Sequence, residues 1–320
     1  MTLRQRLEWL AATLVFAVAS AHWILPDTAL VFVGFHSAFG WAWIAVIPAA
    51  VLAALFRSRP LGAATLLLTW VWGVAVLPGN GPGRGGSADL RIVSANVLSS
   101  NPTIAVLADA IAAEEADLLL IQEVGDGWKT SLDAMSDYPH RLAIPRRDNF
   151  GIAIYARHPL RDLDAFDAQG VPWMEATLDI DGIAVRAITV HTLPPVSADY
   201  HAVWQDQLAQ LEALMVGAEG PTIVAGDLNL TRHSPTFRRL LATGFHTAHA
   251  ECGQSWQRTW PANLQVEVFR PDHVLLSPEL RCVGLSHLPG AGSDHRGIVV
   301  DLEVAPYQPP EVQLKQPSSL

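Results

Sequence analysis

Five apolar runs in the C-terminal two-thirds of the chain end on a residue that can bind a metal ion or a proton. Two of them end in Asp227-Leu228-Asn229 and Ser293-Asp294-His295, and the other three end at Asn96, Glu123 and His191. A buried strand has no reason to end on such residues unless that end faces a polar site. We therefore expect one active site at an edge of a β-rich core.

Asn96 and Glu123 form the pattern that suits a divalent cation. A carboxylate beside an amide at neighbouring strand ends offers the oxygen ligands that Mg²⁺ prefers, while the ion keeps several waters. The competing interpretation is a turn asparagine and a capping glutamate, each of which is common by itself. We predict Asn96 and Glu123 as metal ligands.

Asp227 and Asn229 alternate with Leu228, so on an extended strand end both side chains project to the same side. The carboxylate can orient or deprotonate a water, and the amide can hold a phosphate oxygen. Asp-x-Asn is also common in turns, but here it follows an apolar run and Gly226.

Asp272 and His295 are the candidate pair for acid–base chemistry. A buried carboxylate fixes the tautomer of an imidazole and stabilises its cation, as a histidine base or phosphate-polarising group requires. A serine hydrolase triad is the competing interpretation. The sequence contains no Gly-x-Ser-x-Gly motif to supply its nucleophile.

Charge divides the chain into two parts. The formal net charge is −10, yet the first 79 residues hold four arginines against only Glu8 and Asp27, so the acidic excess lies beyond them. An acidic domain is a poor match to a tight non-specific DNA binder, which must neutralise phosphates. A divalent metal would offset an acidic site.

Three apolar stretches, 10–25, 28–56 and 61–78, predict about three transmembrane helices, because a span needs roughly 20 apolar residues. The second is longer than required, so 28–40 is expected to include an interfacial loop. A signal peptide is the rival for the first stretch, but no clean cleavage site follows. Buried helices of a soluble domain are disfavoured because a polar face is almost absent.

The basic residues predict the orientation of these helices. Arg4 and Arg6 mark the N-terminus as cytoplasmic, and Arg57 and Arg59 mark the second loop likewise. Three spans then make a multi-pass protein of the cell (inner) membrane, with everything after residue 78 on the periplasmic or extracellular side.

The chain therefore divides into a membrane anchor (1–78), a Gly-rich linker (79–87), a compact domain (88–305) and a disordered tail (306–320). Strand-like runs in the domain are 90–96, 118–123, 151–156, 174–178, 183–191, 222–225, 274–276 and 298–304, and helical patterns are 104–113, 200–216 and 235–241. Together they predict two mixed sheets packed face to face and flanked by helices.

Cys252 and Cys282 are the two cysteines of the chain. In an oxidising compartment they could pair and close a stabilising loop. The alternative is two buried thiols.

The order of these motifs resembles the endonuclease/exonuclease/phosphatase superfamily, whose fold is like that of deoxyribonuclease I. The resemblance covers about residues 88–305, and three spans before such a domain are similar to bacterial membrane-anchored members. The motifs that carry it are Asn96, Gln122-Glu123, His191, Gly226-Asp227-Leu228-Asn229, Asp272-His273 and Ser293-Asp294-His295. The resemblance implies a four-layer α/β sandwich and phosphoester hydrolysis that depends on Mg²⁺ or Mn²⁺.

The resemblance also implies a role for each position. Asn96 and Glu123 would be metal ligands, with Asp294 as a further ligand on the metal side or in support of it. Asp227 would position or activate the attacking water, and His191 and Asn229 would bind the phosphate. Asp272 would orient His295, which would contact the phosphate or act as acid or base. The chain departs from many members at His273, where they carry tyrosine.

These expectations predict a membrane-anchored phosphodiesterase or phosphatase, with the lipid bilayer as a partner and no protein partner implied. The substrate stays open between nucleic acid, a phospholipid head group and a small phosphate ester, and the anchor favours a lipid or cell-surface substrate. The alternative is a catalytically weak binding or scaffold module that retains the fold. The presence of Glu123, Asp227 and His295 argues against it.

Overall fold

The structure, a computed structural model, describes residues 1–76, 86–264 and 266–304. Most of the predicted linker (79–87) and all of the predicted tail (306–320) lie outside the described residues.

Nine helices occur in the described residues. They are α1 (Leu3–Ile24), α2 (Leu30–Phe39), α3 (Trp43–Leu55), α4 (Arg59–Val76), α5 (Ile104–Ala113), α6 (Asp126–Asp133), α7 (Ala198–Val216), α8 (Pro235–Ala242) and α9 (Ala248–Glu251).

The strands of the same residues form two six-stranded mixed sheets. They are β1 (Leu90–Asn96), β2 (Leu118–Gln122), β3 (His140–Ile144), β4 (Ile152–Ala156), β5 (Leu160–Ala168), β6 (Val171–Ile180), β7 (Ile183–His191), β8 (Thr222–Asp227), β9 (His246–Thr247), β10 (Asp272–Leu276), β11 (Leu280–His287) and β12 (Ile298–Val304). The first sheet has the order β11-β12-β1-β2-β4-β3, and the second has the order β5-β6-β7-β8-β10-β9.

The two sheets pack face to face over a shared apolar core, in which Leu120 and Ile154 of the first sheet join Ile223 of the second. Helices α5 and α6 cover the outer face of the first sheet. Helices α7 and α8 cover the outer face of the second, with Trp204 and Phe237 fully or almost fully buried. The predicted pair of mixed sheets flanked by helices is confirmed.

The strands that the sequence failed to indicate share one position in the fold. β3, β5, β9 and β11 are the four edge strands of the two sheets. An edge strand is paired on one side only and is partly exposed, so its sequence is short or mixed with charges rather than a continuous apolar run. The burial pattern of β5 shows this, because only its last residue is buried.

The prediction of about three transmembrane helices is wrong. Within the described residues only α1 is long and apolar enough to cross a membrane. The second stretch breaks into α2 and α3, which bend by 70° from one another, and α2 is too short to span. Helix α4 has 18 described residues, begins with Arg59 and Pro60, and is not among the helices of the described residues that are long and apolar enough to span.

Cys252 and Cys282 form a disulfide. It joins the end of α9 to β11, an edge strand of the first sheet, across a sequence separation of 30 residues. The bond therefore ties a connection that follows the second sheet to the edge of the first.

We expect Cys282→Ser to lower the thermal unfolding midpoint, because an open 30-residue loop gives the unfolded chain more conformational entropy, an effect worth about 2–4 kcal/mol. Thermal unfolding of the 320-residue chain in detergent, with and without reductant, measures this. Reductant should lower the midpoint of the parent protein and leave that of the variant unchanged. Equal sensitivity of both proteins to reductant would contradict the assigned bond.

Candidate active site

Three adjacent strands of the second sheet bring His191, Asp227 and Asp272 to one level. In the parallel pairing of β7 with β8, His191 is opposite Asp227. In the antiparallel pairing of β8 with β10, Asp272 is opposite Asp227. The register of the sheet thus gathers three side chains that are far apart in sequence.

The first sheet contributes Asn96 and Glu123 from the ends of β1 and β2, where Asn96 pairs with Gln122. The Nδ2 of Asn96 donates to Oε1 of Glu123 at 2.9 Å and to Oδ2 of Asp227 at 3.2 Å. The asparagine amide therefore joins carboxylates that belong to different sheets. Glu123 lies at a φ of 60°, which marks the point where the chain leaves the strand.

Gly226 is required by a close approach of the backbone. Its φ is 145°, and a Cβ at this position would lie 1.9 Å from the carbonyl oxygen of Val190 on β7. No other residue type fits without displacing the neighbouring strand. Glycine here lets β8 bend beside β7 and present Asp227 at the strand end.

Asp272 and His295 form a hydrogen-bonded pair, with Nδ1 of the imidazole 2.8 Å from Oδ2 of the carboxylate. Thr259 donates its hydroxyl to the same oxygen. The other imidazole nitrogen lies 3.7 Å from Oδ2 of Asp227. Burial alone lowers the pKa of His295, but the carboxylates of Asp272 and Asp227 raise it to about 10, so the ring is a cation at neutral pH.

His191 and Asn229 also lie close to Asp227. The Nε2 of His191 is 3.7 Å from Oδ2 of Asp227. The backbone N–H of Asn229 donates to the other carboxylate oxygen at 2.8 Å, and its Nδ2 donates to the carbonyl of Thr192 at 2.8 Å. Asp227 is therefore held at both oxygens.

Asp294 makes no hydrogen bond to this group, although its charge helps to raise the pKa of His295. Its Oδ2 accepts a hydrogen bond from Nε1 of Trp260 at 3.1 Å, and its buried Oδ1 has no partner among the described residues. It does not line the cleft described below. A contribution of Asp294 to metal binding stays a prediction.

His273 is packed against Phe237 and hydrogen-bonded to the carbonyl of Leu230, so it holds a structural position.

An open cleft of about 790 Å³ lies over these residues. Its floor contains Glu123, His191, Asp227, Asn229 and His295. The sequence did not indicate several other parts of the lining, which are the loop Asp148, Asn149 and Phe150, the segment Pro194, Pro195 and Val196, Trp260, and residues of α2. Loops and helix faces have no strand-end signal, and the range 28–40, which contains α2, is expected from the sequence to include an interfacial loop of the membrane anchor.

The residues at the floor fit a divalent cation. Burial raises the pKa of Glu123, and Asp227 adds to that effect, while His191 and the amide of Asn96 oppose it. Buried carboxylates this close need a compensating positive charge. The ligand atoms of Asp227, Asp272 and His295 also lie within 4.8 Å of one another, but Asp272 is already bonded to His295. Asn96 and Glu123, beside Asp227, offer amide and carboxylate oxygens of the kind that a divalent cation prefers.

Two mixed sheets flanked by helices, with acidic and histidine side chains gathered at one end, form an α/β sandwich with a polar site. Residues 93–295 match the model of the Endonuclease/Exonuclease/phosphatase family. The chain belongs to this family, which supports a hydrolase of the phosphoesterase or nuclease type. No curated protein sequence matches the chain.

Solved structures share the fold at low sequence identity. A humanized D. rerio TDP2 has a TM-score of 0.57 and 18% identity, covering 67% of this chain and 99% of its own. An AP endonuclease from Archaeoglobus fulgidus has a TM-score of 0.55 and 18% identity, covering 67% of this chain and 100% of its own. A mannosyl-6-phosphatase from Bacteroides thetaiotaomicron has a TM-score of 0.52 and 16% identity, covering 67% of this chain and 99% of its own.

The raised pKa of His295 predicts a pH-dependent stability. The folded value of about 10 lies above the ordinary value of about 6.5 in the unfolded chain. The pair with Asp272 therefore contributes fully below about pH 6.5, and its contribution is lost as the pH rises through about 10. We expect the unfolding midpoints of the parent protein and His295→Gln, measured in EDTA, to converge between pH 6.5 and 10. Parallel profiles would show that the imidazole is not held as a cation.

Proposed function

We propose that the protein is a membrane-anchored phosphoester hydrolase that requires Mg²⁺ or Mn²⁺. The observation that carries the proposal is the position of Asp227, whose Oδ2 lies 3.7 Å from both His191 and His295 while Asn96 bonds it to Glu123. A carboxylate between two imidazoles, beside a second carboxylate, suits attack of water on a phosphate.

Each residue has a part in that reaction. Asp227 orients the attacking water and accepts its proton. His295, kept cationic by Asp272, stabilises the negative charge that develops on the phosphate oxygens, and it can give its Nε2 proton to the departing oxygen as the ester P–O bond breaks. His191 donates to the same group, and Asn229 lines the cleft where a phosphate oxygen would lie.

Asn96 and Glu123 would hold the metal ion, with Asp294 as a further ligand or in support of them. When bound, a divalent cation polarises the phosphate and lowers the pKa of coordinated water. The chain's own contribution is to bury the carboxylates of Glu123 and Asp227 and to hold the amide of Asn96 between them.

Anchoring is proposed through α1. Arg4 and Arg6 precede its apolar part and would stay in the cytoplasm, so the catalytic domain follows on the outer side. The disulfide between Cys252 and Cys282 supports an oxidising compartment. Most of the exposed large hydrophobic side chains of the described residues lie in or next to α1, α3 and α4, as expected for a segment in contact with lipid.

The structural neighbours point to phosphoesters of more than one kind. One is a D. rerio TDP2 complexed with a single-strand DNA product, and another is a mannosyl-6-phosphatase. Because one fold hosts many activities, these names leave the substrate of this chain open between nucleic acid, lipid head group and small phosphate ester.

We expect Asp227→Ala and His295→Ala each to lower kcat/KM by at least about 10²-fold, the size of a lost acid–base group. The 320-residue chain in detergent is assayed with Mg²⁺ or Mn²⁺ against DNA, RNA, sphingomyelin-type lipids and sugar or inositol phosphates, and EDTA should abolish turnover. Asp206→Ala, an exposed position on α7, is the control and should keep parent activity.

Two results would overturn the assignment. Near-parent activity of both active-site variants would separate the reaction from this site. No turnover of any substrate class by the metal-loaded protein would favour a binding or scaffold module.

For the location, we expect a reporter that is active only in the periplasm to be active when fused after Ser87. One span with a cytoplasmic N-terminus puts Ser87 outside, whereas counting the bent pair α2–α3 as a second span would put it inside. The same fusion to a reporter active only in the cytoplasm is the control. Activity of the cytoplasmic reporter alone would reverse the proposed orientation.

A further inference from the structure

One wall of the active-site cleft comes from outside the catalytic domain. Leu30, Val33, Gly34 and Ser37 of α2 line it. These positions follow the i, i+3, i+4, i+7 pattern, so they form one face of the helix. A continuous helical face is therefore turned toward the residues of the catalytic floor.

The accessible rim of the cleft carries apolar side chains on two segments and the polar residues Asp148 and Asn149 on a third, whereas its floor is polar and mostly buried. Leu30 of α2 is 38% exposed, Val196 in the segment before α7 is 72% exposed, and Tyr200 at the start of α7 is 41% exposed. Exposed apolar side chains grouped around a polar site indicate a ligand with an apolar part. The polar part would lie at Asp227 and His295.

The charge of the lining argues against a nucleic acid. No lysine or arginine is present among the described residues that line the cleft. Binding of a nucleic acid depends on cationic side chains that neutralise several backbone phosphates. A ligand with one phosphoester group at the floor makes no such demand on the walls.

The position of α2 is fixed by Asp27, which lies three residues before the start of the helix. Asp27 is buried, and its carboxylate accepts hydrogen bonds from the hydroxyl of Ser234 and the N–H of Thr236 at the start of α8. Its carbonyl lies 2.8 Å from Nε2 of His201 and accepts from Gln205 at 3.1 Å, both on α7. Val33 packs in the apolar cluster of the second sheet.

These contacts also set the distance from the bilayer to the cleft. Helix α1 ends at Ile24 and α2 begins at Leu30, and the connecting residues span at most about 20 Å even when extended. If α1 crosses the membrane as proposed, the rim of the cleft opens close to the outer leaflet.

We infer that α2 is part of the substrate-binding site and that the substrate is a lipid phosphoester. Its phosphate lies at Asp227 and His295, and its apolar chain runs between α2 and the segment that contains Val196. The inference rests on the proposed phosphoester hydrolysis and adds the substrate class to it.

The first test compares substrates with and without acyl chains. The 320-residue chain is incubated with Mg²⁺ or Mn²⁺ and vesicles of phosphatidylglycerol, phosphatidic acid or sphingomyelin. The matched soluble probes are glycerophosphoglycerol, glycerol 3-phosphate and phosphocholine esters without long chains, with bis(p-nitrophenyl) phosphate as a general phosphodiester. We expect kcat/KM to be at least about 10-fold higher for a lipid than for its soluble match, because burial of an apolar chain adds binding energy.

The second test changes the walls. Leu30→Asp and Val196→Asp should each lower the ratio of lipid to soluble kcat/KM at least about 10-fold, mainly through KM. Val106→Asp is the matched control, because Val106 is 58% exposed on α5, over the other sheet, and should leave the ratio unchanged. Since Val196 is on a rim loop and largely exposed, its variant keeps the test valid even where Leu30→Asp fails to fold.

The outcomes separate the two proposals. Turnover of soluble phosphoesters that equals or exceeds turnover of lipids, or parent-like ratios in both wall variants, overturns the lipid assignment and leaves phosphoester hydrolysis standing. No metal-dependent turnover of any probe overturns the proposed function itself.

Discussion

The amide of Asn96 is the interaction on which the site depends. By donating to Glu123 and to Asp227, it holds together two buried carboxylates that come from different sheets. The two sheets can bring their polar ends this close only because the repulsion between the carboxylates of Glu123 and Asp227 is offset. The amide, two imidazoles and, in the proposed reaction, a metal ion supply that offset. The same crowding gives His295 its raised pKa.

The sequence predicted the parts of the fold whose environment leaves a pattern in composition. Central strands such as β7 are buried on both faces and read as apolar runs, and their polar ends identified Asn96, Asp227 and His295 as one site. The edge strands left no such pattern because solvent accepts charged residues there. The contact between Asp294 and Trp260 could not be predicted, since it depends on how a loop folds over the final strand.

The error in the membrane prediction has a similar physical cause. Hydropathy records that a side chain avoids water, and it does not record whether lipid or protein surrounds it. Val33 of α2 is apolar because it packs in the core cluster with Leu230 and Phe237. The polar contacts of Asp27 with Ser234 and Thr236 could not be predicted from the sequence either, because these partners lie about two hundred residues further along the chain.

The place of α2 also explains why family membership leaves the substrate open. The family match covers residues 93–295, and the neighbouring structures cover 67% of the chain. The catalytic floor lies inside that region, whereas the wall formed by Leu30 and Val33 lies outside it. The family match thus includes the residues proposed for the chemistry, while the proposed recognition of the rest of the substrate involves a segment that the match does not include. A helix that belongs to the anchor by sequence therefore belongs to the active site by position.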